Sequence, residues 1–556
     1  MKKTNGATER AIISSNQEST VFFWLCASLI ALLSTTILFR EIDRPFWGLH
    51  SWGESHAAWV ARSHIVYGLG YTKGFDTFAV GNPPEEKPTR YLDHPQGRTW
   101  LDAIAMLIIG TNELAIRIPN LIATFLTVLI FIKILKALTD YRVALLAGFF
   151  FATFPLTGYF GVWGVSTWFT PTAMLTIWYY LVVTGIVPQQ NEPRKRHKWI
   201  LAFLLFLILQ MTWEGFFVAL AVGVHFICRQ IKKKKFPHRT ILAILIIAPL
   251  SSLLLNFLIL SAGRGWNFHE IIEIAKWRAT SGEMENLTWA GWFELFKIHA
   301  VTNFTIPALV LTILALTLGQ LYILLTAAKT TGSENKYKYK FPQFWLFTLP
   351  AVFQLLILRG ALVPHQYWER PIAFPIAIAL ALAVMIIYDL LRRLNEKVAV
   401  VSAAAVTLLV FIFCMVGTNY YYSYRWQPEQ KIKMFKELNQ KIPPDKYLLS
   451  YEGLMYDQHE YKAASIQCEI AWYLDRQIHT AQTLNEVLEK AKTGKYPYYL
   501  IPNMPQLAPL IKELRKRYAF EYVPGQQRIS TRQGFTYKGG MPPYLVFDLN
   551  STAEQQ

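Results

Sequence analysis

The chain has 556 residues, 53% of them hydrophobic and 15% aromatic, with a mean hydropathy of +0.24. A water-soluble chain of this length is not so apolar, so lipid is its main solvent and the expected class is a polytopic α-helical membrane protein. The net charge of +18 would suggest nucleic acid in a soluble protein; here Lys and Arg stand between apolar runs, which makes them topology signals and removes nucleic acid as a partner.

Residues 1–20 carry Lys2, Lys3 and Arg10 and read as a cytoplasmic N-terminus. The first apolar run, 21–39, is long enough to span a bilayer and has no small-residue cleavage site beyond it, so it reads as a retained helix. Further apolar stretches lie near 118–138, 143–160, 164–186, 199–213, 215–230, 240–261, 305–327, 343–358, 371–391 and 398–418. Together they predict about eleven spans in a transmembrane domain of residues 21–420. Alternate connections are basic: Arg194, Lys195, Arg196 and Lys198; Lys232, Lys233, Lys234 and Lys235; Lys329, Lys336, Lys338 and Lys340; Arg392, Arg393 and Lys397. The positive-inside rule places these in the cytoplasm. An odd number of spans then puts residues 421–556 in the periplasm or a lumen, on the same side as the long connections 40–117 and 262–304.

Both outer connections are rich in Trp, His and charge and contain helical periods too short or too polar to span, so they read as interfacial helices. In the first, Ala58, Ala61 and Ile65 share a helix over 54–67 that follows Phe46, Trp47 and Trp52. In the second, Trp266, Trp277, Trp289 and Trp292 are spaced as interface anchors. Past Tyr420, strand-like runs at 447–450, 498–501 and 544–547 alternate with helical ones at 465–474, 484–492 and 507–518, which predicts a soluble α/β domain over 421–556. Of the four cysteines, Cys26, Cys228 and Cys414 fall in spans and Cys468 stands alone in that domain, so it has no disulfide framework.

The first outer connection carries Trp52-Gly53-Glu54-Ser55-His56, with a carboxylate at the start of its helix, where the helix N-terminus favours the ionised form. Later come Arg90-Tyr91-Leu92-Asp93-His94-Pro95-Gln96 and another apolar helix. A third element, His365-Gln366-Tyr367-Trp368-Glu369-Arg370-Pro371, stands at the outer end of a late span. In these elements and in topology over residues 20–420, the chain resembles the membrane glycosyltransferases of the GT-C fold. That superfamily includes the dolichyl-phosphate-mannose protein mannosyltransferases and the bacterial lipid A aminoarabinose transferases. Its acidic pair is here Gly53-Glu54, with only the second acid kept. Its Lys/His-Pro-Pro element corresponds to His94-Pro95-Gln96, and its His/Arg-Tyr-x-x-x-Pro segment to the run from His365. Where relatives often place a further acid near the fourth span, this chain has Trp168, Phe169 and Thr170; Glu214, in Trp213-Glu214-Gly215, is the candidate substitute.

The resemblance implies transfer of a hexose or pentose from an undecaprenyl- or dolichyl-phosphate donor to a lipid, polysaccharide or protein acceptor at the outer membrane face, inverting the sugar if the transfer is one displacement. Such a reaction needs a base for the acceptor and cations for the departing phosphate. Glu54 is the candidate base. Asp93, His94, Glu214, Arg62 and Arg90 are candidates for binding sugar or acceptor, and Arg359, His365, Tyr367 and Arg370 for the carrier phosphate. Each has a bland rival: Glu54 can cap its helix and pair with Arg62 or Arg90, the histidines can be ordinary interface residues, Arg359 can snorkel, and Asp93 and Glu214 can face water. No His/Cys/Asp set has metal-ligand spacing, so a divalent ion on Glu54 and His residues is left open. Asn286 and Asn550 begin N-glycosylation triplets that matter only in a eukaryotic host, and a bacterial inner membrane is the favoured location. Three other readings stand beside it: a transferase of whole glycans from a diphosphate carrier (oligosaccharyltransferase or O-antigen ligase), a polytopic transporter or flippase, and a sensor. The first calls for a Trp-Trp-Asp-type motif and the second for repeated halves or mid-bilayer ionisable groups; the sequence displays neither, and so many spans exceed what a sensor needs.

Overall fold

The computed structural model describes residues 5–86, 88–163, 169–187, 195–234, 239–269, 272–273, 276, 288–327, 341–362, 365–423, 429–452, 468–532 and 535–551. Packing divides the chain into two compact units that interleave along the sequence. The first comprises Met1–Ile42, Asp93–Arg98 and Arg117–Tyr421; the second comprises Asp43–Leu92, Thr99–Ile116 and Tyr422–Gln556.

The first unit is helical. Among the described residues six helices are long and apolar enough to cross a membrane: Thr20–Phe39, Glu113–Leu138, Glu214–Lys232, Arg239–Gly263, Gln366–Arg392 and Glu396–Ser423. A seventh crossing is reached if Trp289–Phe304 and Ile306–Thr317, which meet at 105°, count as one broken span. The break has a local cause, because Thr305 has a φ of 71° that cannot continue a helix, and Pro307 in the next helix has no N–H to bond back across the junction. Four other stretches among the expected eleven form shorter helices: Tyr141–Thr153, Phe169–Val183, Lys195–Met211 and Trp345–Ile357. At 13 to 17 residues, they reach only about 20–26 Å against a hydrocarbon core of about 30 Å. The multi-pass membrane architecture therefore holds; among the described residues six helices, or seven crossings with the broken pair, are long and apolar enough to span, and eleven is reached if the four shorter helices cross as well. Inside the bundle Phe131, Phe151, Phe347 and Phe374 form an aromatic knot, with Phe151 and Phe374 stacked at 4.5 Å.

In the second unit a five-stranded mixed sheet runs in the order β4 (Ile478–Thr480), β3 (Leu448–Ser450), β5 (Tyr498–Pro502), β9 (Tyr544–Asp548) and β6 (Ala519–Val523). The strands β7 (Gln526–Arg532) and β8 (Phe535–Met541) form a separate antiparallel ribbon, and β1 (Thr77–Phe78) pairs with β2 (Thr89–Arg90). The three strands expected from sequence in the C-terminal region are present as β3, β5 and β9, and the three helices as Cys468–Leu474, Leu484–Lys492 and Ala508–Arg515. The α/β class holds there; the short or half-polar strands β4, β6, β7 and β8 carried too little periodicity to be read.

The register explains why this sheet needs cover on both sides. Tyr499 faces Phe547 and Ile501 faces Leu545 across β5 and β9, and these four pack with Val487, Ile511 and Leu514 of two C-terminal helices. The intervening pair, Leu500 and Val546, points to the opposite face. That face shares its core with Phe46, Ala58, Trp59 and Phe78 from the first long connection, with Ala103 and Met106, and with Trp472. The connection at 43–92 is therefore built into the same core as the C-terminal sheet, and Trp59 is fixed in it by donating its ring N–H to Ala79 O at 2.7 Å. Trp277 and Asn286 lie outside the described residues.

Candidate active site

The candidate residues fall into the two units. Glu54 occupies the first turn of the helix Ser51–Val66, directly after His50, whose backbone is left-handed (φ 56°). Its side chain is 1% exposed. Three residues earlier on the same helical face, Ser51 donates its hydroxyl to Glu469 Oε1 at 2.8 Å. Glu469 is itself buried on the helix Cys468–Leu474. The Lys431 ammonium is pulled below its ordinary value by burial, with the carboxylates of Glu469 and Glu452 opposing that pull, and burial together with Glu469 pushes the Cys468 thiol well up. Glu469 thus bonds to the first turn that carries Glu54 and in turn interacts with Lys431. Glu469 and Lys431 were not read from sequence, because nothing local ties the C-terminal helices to a connection some 400 residues earlier.

Arg62, two turns after Glu54, is engaged within its own unit. It donates to Trp472 O at 2.8 Å and Ala471 O at 3.0 Å, pairs with Asp475 at 3.1 Å and stacks on the Trp472 ring at 4.8 Å. These carbonyls belong to the last turn of a seven-residue helix, where Ala471 O also accepts the Asp475 backbone N–H at 3.3 Å. Burial draws the guanidinium below its ordinary value while Asp475 opposes the shift. Arg90 lies on β2 with its guanidinium 5.0 Å from the Phe75 ring centre.

The first unit holds the remaining candidates. Asp93 accepts from Arg264 at 3.1 Å with both side chains buried, and its carbonyl accepts the Trp213 ring N–H at 2.8 Å. Its candidate role in binding sugar thus competes with an ion pair already formed. His94 is half-buried, and its carbonyl accepts from the Gln96 amide at 2.7 Å. The turn then passes so near the helix Lys195–Met211 that a Cβ on Gly97 would sit 2.7 Å from Gln210 O; only glycine fits.

A cleft among the helices brings Glu214, Tyr367 and Arg370 together. It encloses about 630 Å3 not filled by atoms, part of it open, and its walls include Phe169, Ile177, Val218, Phe347 and Phe374. Gln354 and Thr170 supply most of the remaining polarity. Arg370 donates to Phe160 O at 2.9 Å and faces Glu214 electrostatically, and the Tyr367 ring packs on Trp163 at 4.4 Å. His365 is buried beside Tyr367, ring centres 5.2 Å apart. Arg359 lies over the Trp289 ring at 4.5 Å and does not line the cleft. Among the described residues no three His, Cys, Asp or Glu side chains converge as a metal site. The chemistry available is therefore a long apolar surface with one guanidinium, one phenol and one carboxylate set into it.

Residues 93–253 match the family model described as dolichyl-phosphate-mannose-protein mannosyltransferase. No curated protein matches the chain in sequence. Among solved structures, ArnT from Cupriavidus metallidurans bound to undecaprenyl phosphate is similar with a TM-score of 0.56 at 12% identity, over 95% of this chain and 98% of that one. The same protein in its apo state gives 0.56 at 11% identity, over 97% and 99%. A likeness that spans both units at so low an identity is a likeness of fold, and it agrees with the motif-based expectation. The chain is thus a multi-pass membrane protein with an ArnT-like GT-C fold, and its segment 93–253 matches the mannosyltransferase family model.

Proposed function

We propose that the chain is a glycosyltransferase that moves a hexose or pentose from a polyprenyl-phosphate donor, undecaprenyl or dolichyl, to a lipid, polysaccharide or protein acceptor at the outer face of a bacterial inner membrane. The observation that carries this reading is the cleft of the helical unit, whose long aromatic and aliphatic wall suits an isoprenoid tail and whose Arg370 and Tyr367 suit an anionic head. The similar fold of ArnT, itself bound to undecaprenyl phosphate, supports the same ligand class. In this reading the N-terminus is cytoplasmic, the chain crosses about eleven times with the short helices included, and residues 421–556 are periplasmic.

Glu54 takes the proton from the acceptor as the acceptor atom bonds to the anomeric carbon. The bond from that carbon to the phosphate oxygen breaks, the electron pair leaves with the phosphate, and the configuration inverts. A phosphate leaves without protonation but needs its charge countered, which falls to Arg370, with Tyr367 donating and His94, His365 and Arg359 as further cations or donors. Glu214 and Asp93 are assigned to sugar or acceptor hydroxyls. Arg90 is assigned to the acceptor side; Arg62, occupied by carbonyls, would act there only through the helix that carries Glu54.

The test is transfer of radiolabelled sugar from membranes that supply polyprenyl-phosphate sugars, comparing purified wild type with Glu54→Gln at matched folding. Loss of a general base lowers the rate by about 10²–10⁴-fold. Full activity in the variant removes that role from Glu54, and a wild type that transfers from no donor overturns the function.

A further inference from the structure

The segment Gln366–Ile372 is a 3-10 helix at the start of the span Gln366–Arg392. In a 3-10 helix residues three apart eclipse one another, and its hydrogen bonds are too poor to hold a long run without help. Tyr367 and Arg370 are three apart, and both line the cleft. Gln366 and Glu369 are also three apart and form a second face, which is buried away from it.

That second face is held by one side chain from another helix. Asn303 donates its amide to Gln366 O at 3.0 Å and to Glu369 Oε2 at 2.8 Å, while its own oxygen accepts from Tyr421 at 2.7 Å. His299, one turn before Asn303 and on the same face, lies 3.8 Å from Glu369 Oε1. Gln354 donates to Trp368 O at 2.9 Å from the far side. Glu369 has 0% exposure in a membrane-spanning segment. A carboxyl group there is expensive, and its place is not explained by any part in the cleft, which it does not line. Asn303 lies two residues before the break at Thr305, so the network ties the end of the broken helix, the last span and the cleft wall together.

We propose that Glu369 is a positioning residue for carrier recognition: through Asn303 it fixes the phase of the 3-10 segment and thereby aims Tyr367 and Arg370 at the phosphate of the bound lipid. The proposal rests on the reading of the cleft as the carrier site. Breaking the Asn303 bond lets the segment slip, so carrier affinity falls even though no residue that contacts the carrier has changed.

Binding of undecaprenyl phosphate to the purified full chain in nanodiscs tests it, with unfolding temperature measured in parallel. Asn303→Ala is expected to raise Kd about tenfold, the scale of a lost buried hydrogen bond. Tyr421→Phe should raise it less, and Glu369→Gln, which keeps an oxygen for the Asn303 amide, should stay near wild type. A fall in unfolding temperature for Asn303→Ala and Tyr421→Phe with unchanged Kd would leave Glu369 a purely structural group and overturn the proposal. Glu369→Gln binding as weakly as Asn303→Ala would also overturn it. A wild type that does not bind undecaprenyl phosphate instead defeats the reading of the cleft itself, and the two failures are told apart by that single control.

Discussion

Arg62 and Arg370 are both arginines drawn out of water, one in each unit, and their surroundings differ in kind. Around Arg62 the second unit supplies two helix-end carbonyls, an aromatic face and the Asp475 carboxylate, so nearly every side of the guanidinium is used inside the unit. Around Arg370, among the described residues, the helical unit supplies the Phe160 carbonyl with Glu214 and Tyr367 in electrostatic reach, and the group lines a cleft. The first pattern is how a small domain completes its backbone hydrogen bonding where a short helix ends. The second leaves donor capacity for something that is not protein. Two residues that look alike in sequence thus separate into a guanidinium enclosed by protein partners and one that lines a cleft.

Substitution by methionine, which keeps the stem and deletes the charge, sharpens this contrast. Arg62→Met should cost about 3 kcal/mol of local stability, because it removes two buried hydrogen bonds and the ion pair with Asp475 at once. Hydrogen exchange on the full chain would register this as lost protection in Ser51–Val66 and Cys468–Leu474, and unaltered protection would break the comparison. Arg370→Met should leave that protection intact and weaken undecaprenyl phosphate binding by about tenfold or more; equal affinity would mean the cleft takes no anion.

The smallest effect is one of pH. Burial draws His64 below its ordinary value, and His479 likewise, with Lys490 and Lys495 adding to the latter. Both rings therefore take up a proton more readily in the unfolded chain, whose value is about 6.5. Their contribution to stability is complete above that pH and is lost as pH falls through it towards the depressed folded values. Once corrected for the intrinsic pH dependence of amide exchange, protection in the helix Ser51–Val66 should fall between pH 7 and pH 5, and His64→Gln should flatten part of that dependence. A slope that is unchanged in the variant would exclude His64 as a source.

The helix that carries Glu54 was legible because Phe46, Trp47 and Trp52 precede a run of small residues with a helical period, and it forms at Ser51–Val66. Part of the cleft is legible too: Glu214, Tyr367 and Arg370 stand in separate motifs and share one wall system. Glu369 stood inside a motif that was read, but its role was not visible, since Asn303 and Tyr421, its direct and indirect partners, come from other helices. The count of eleven depends on 143–160, 164–186, 199–213 and 343–358, whose described helices have only 13 to 17 residues, so composition alone does not say whether they cross.

The sequence by itself determined the solvent of each region. Apolar runs of bilayer length have no stable place in water, and the C-terminal alternation of short strands and amphipathic helices has none in lipid, so class and rough organisation follow from composition and period. Only the tertiary structure decided which distant segments share a core. The pairing of Ser51 with Glu469, the seating of Arg62 on the end of a helix near the C-terminus and the grip of Asn303 on the cleft wall all join residues far apart in the chain. Such contacts are chosen by shape and by the need to satisfy every buried polar group. Neither constraint leaves a periodic trace in the sequence around the residues involved.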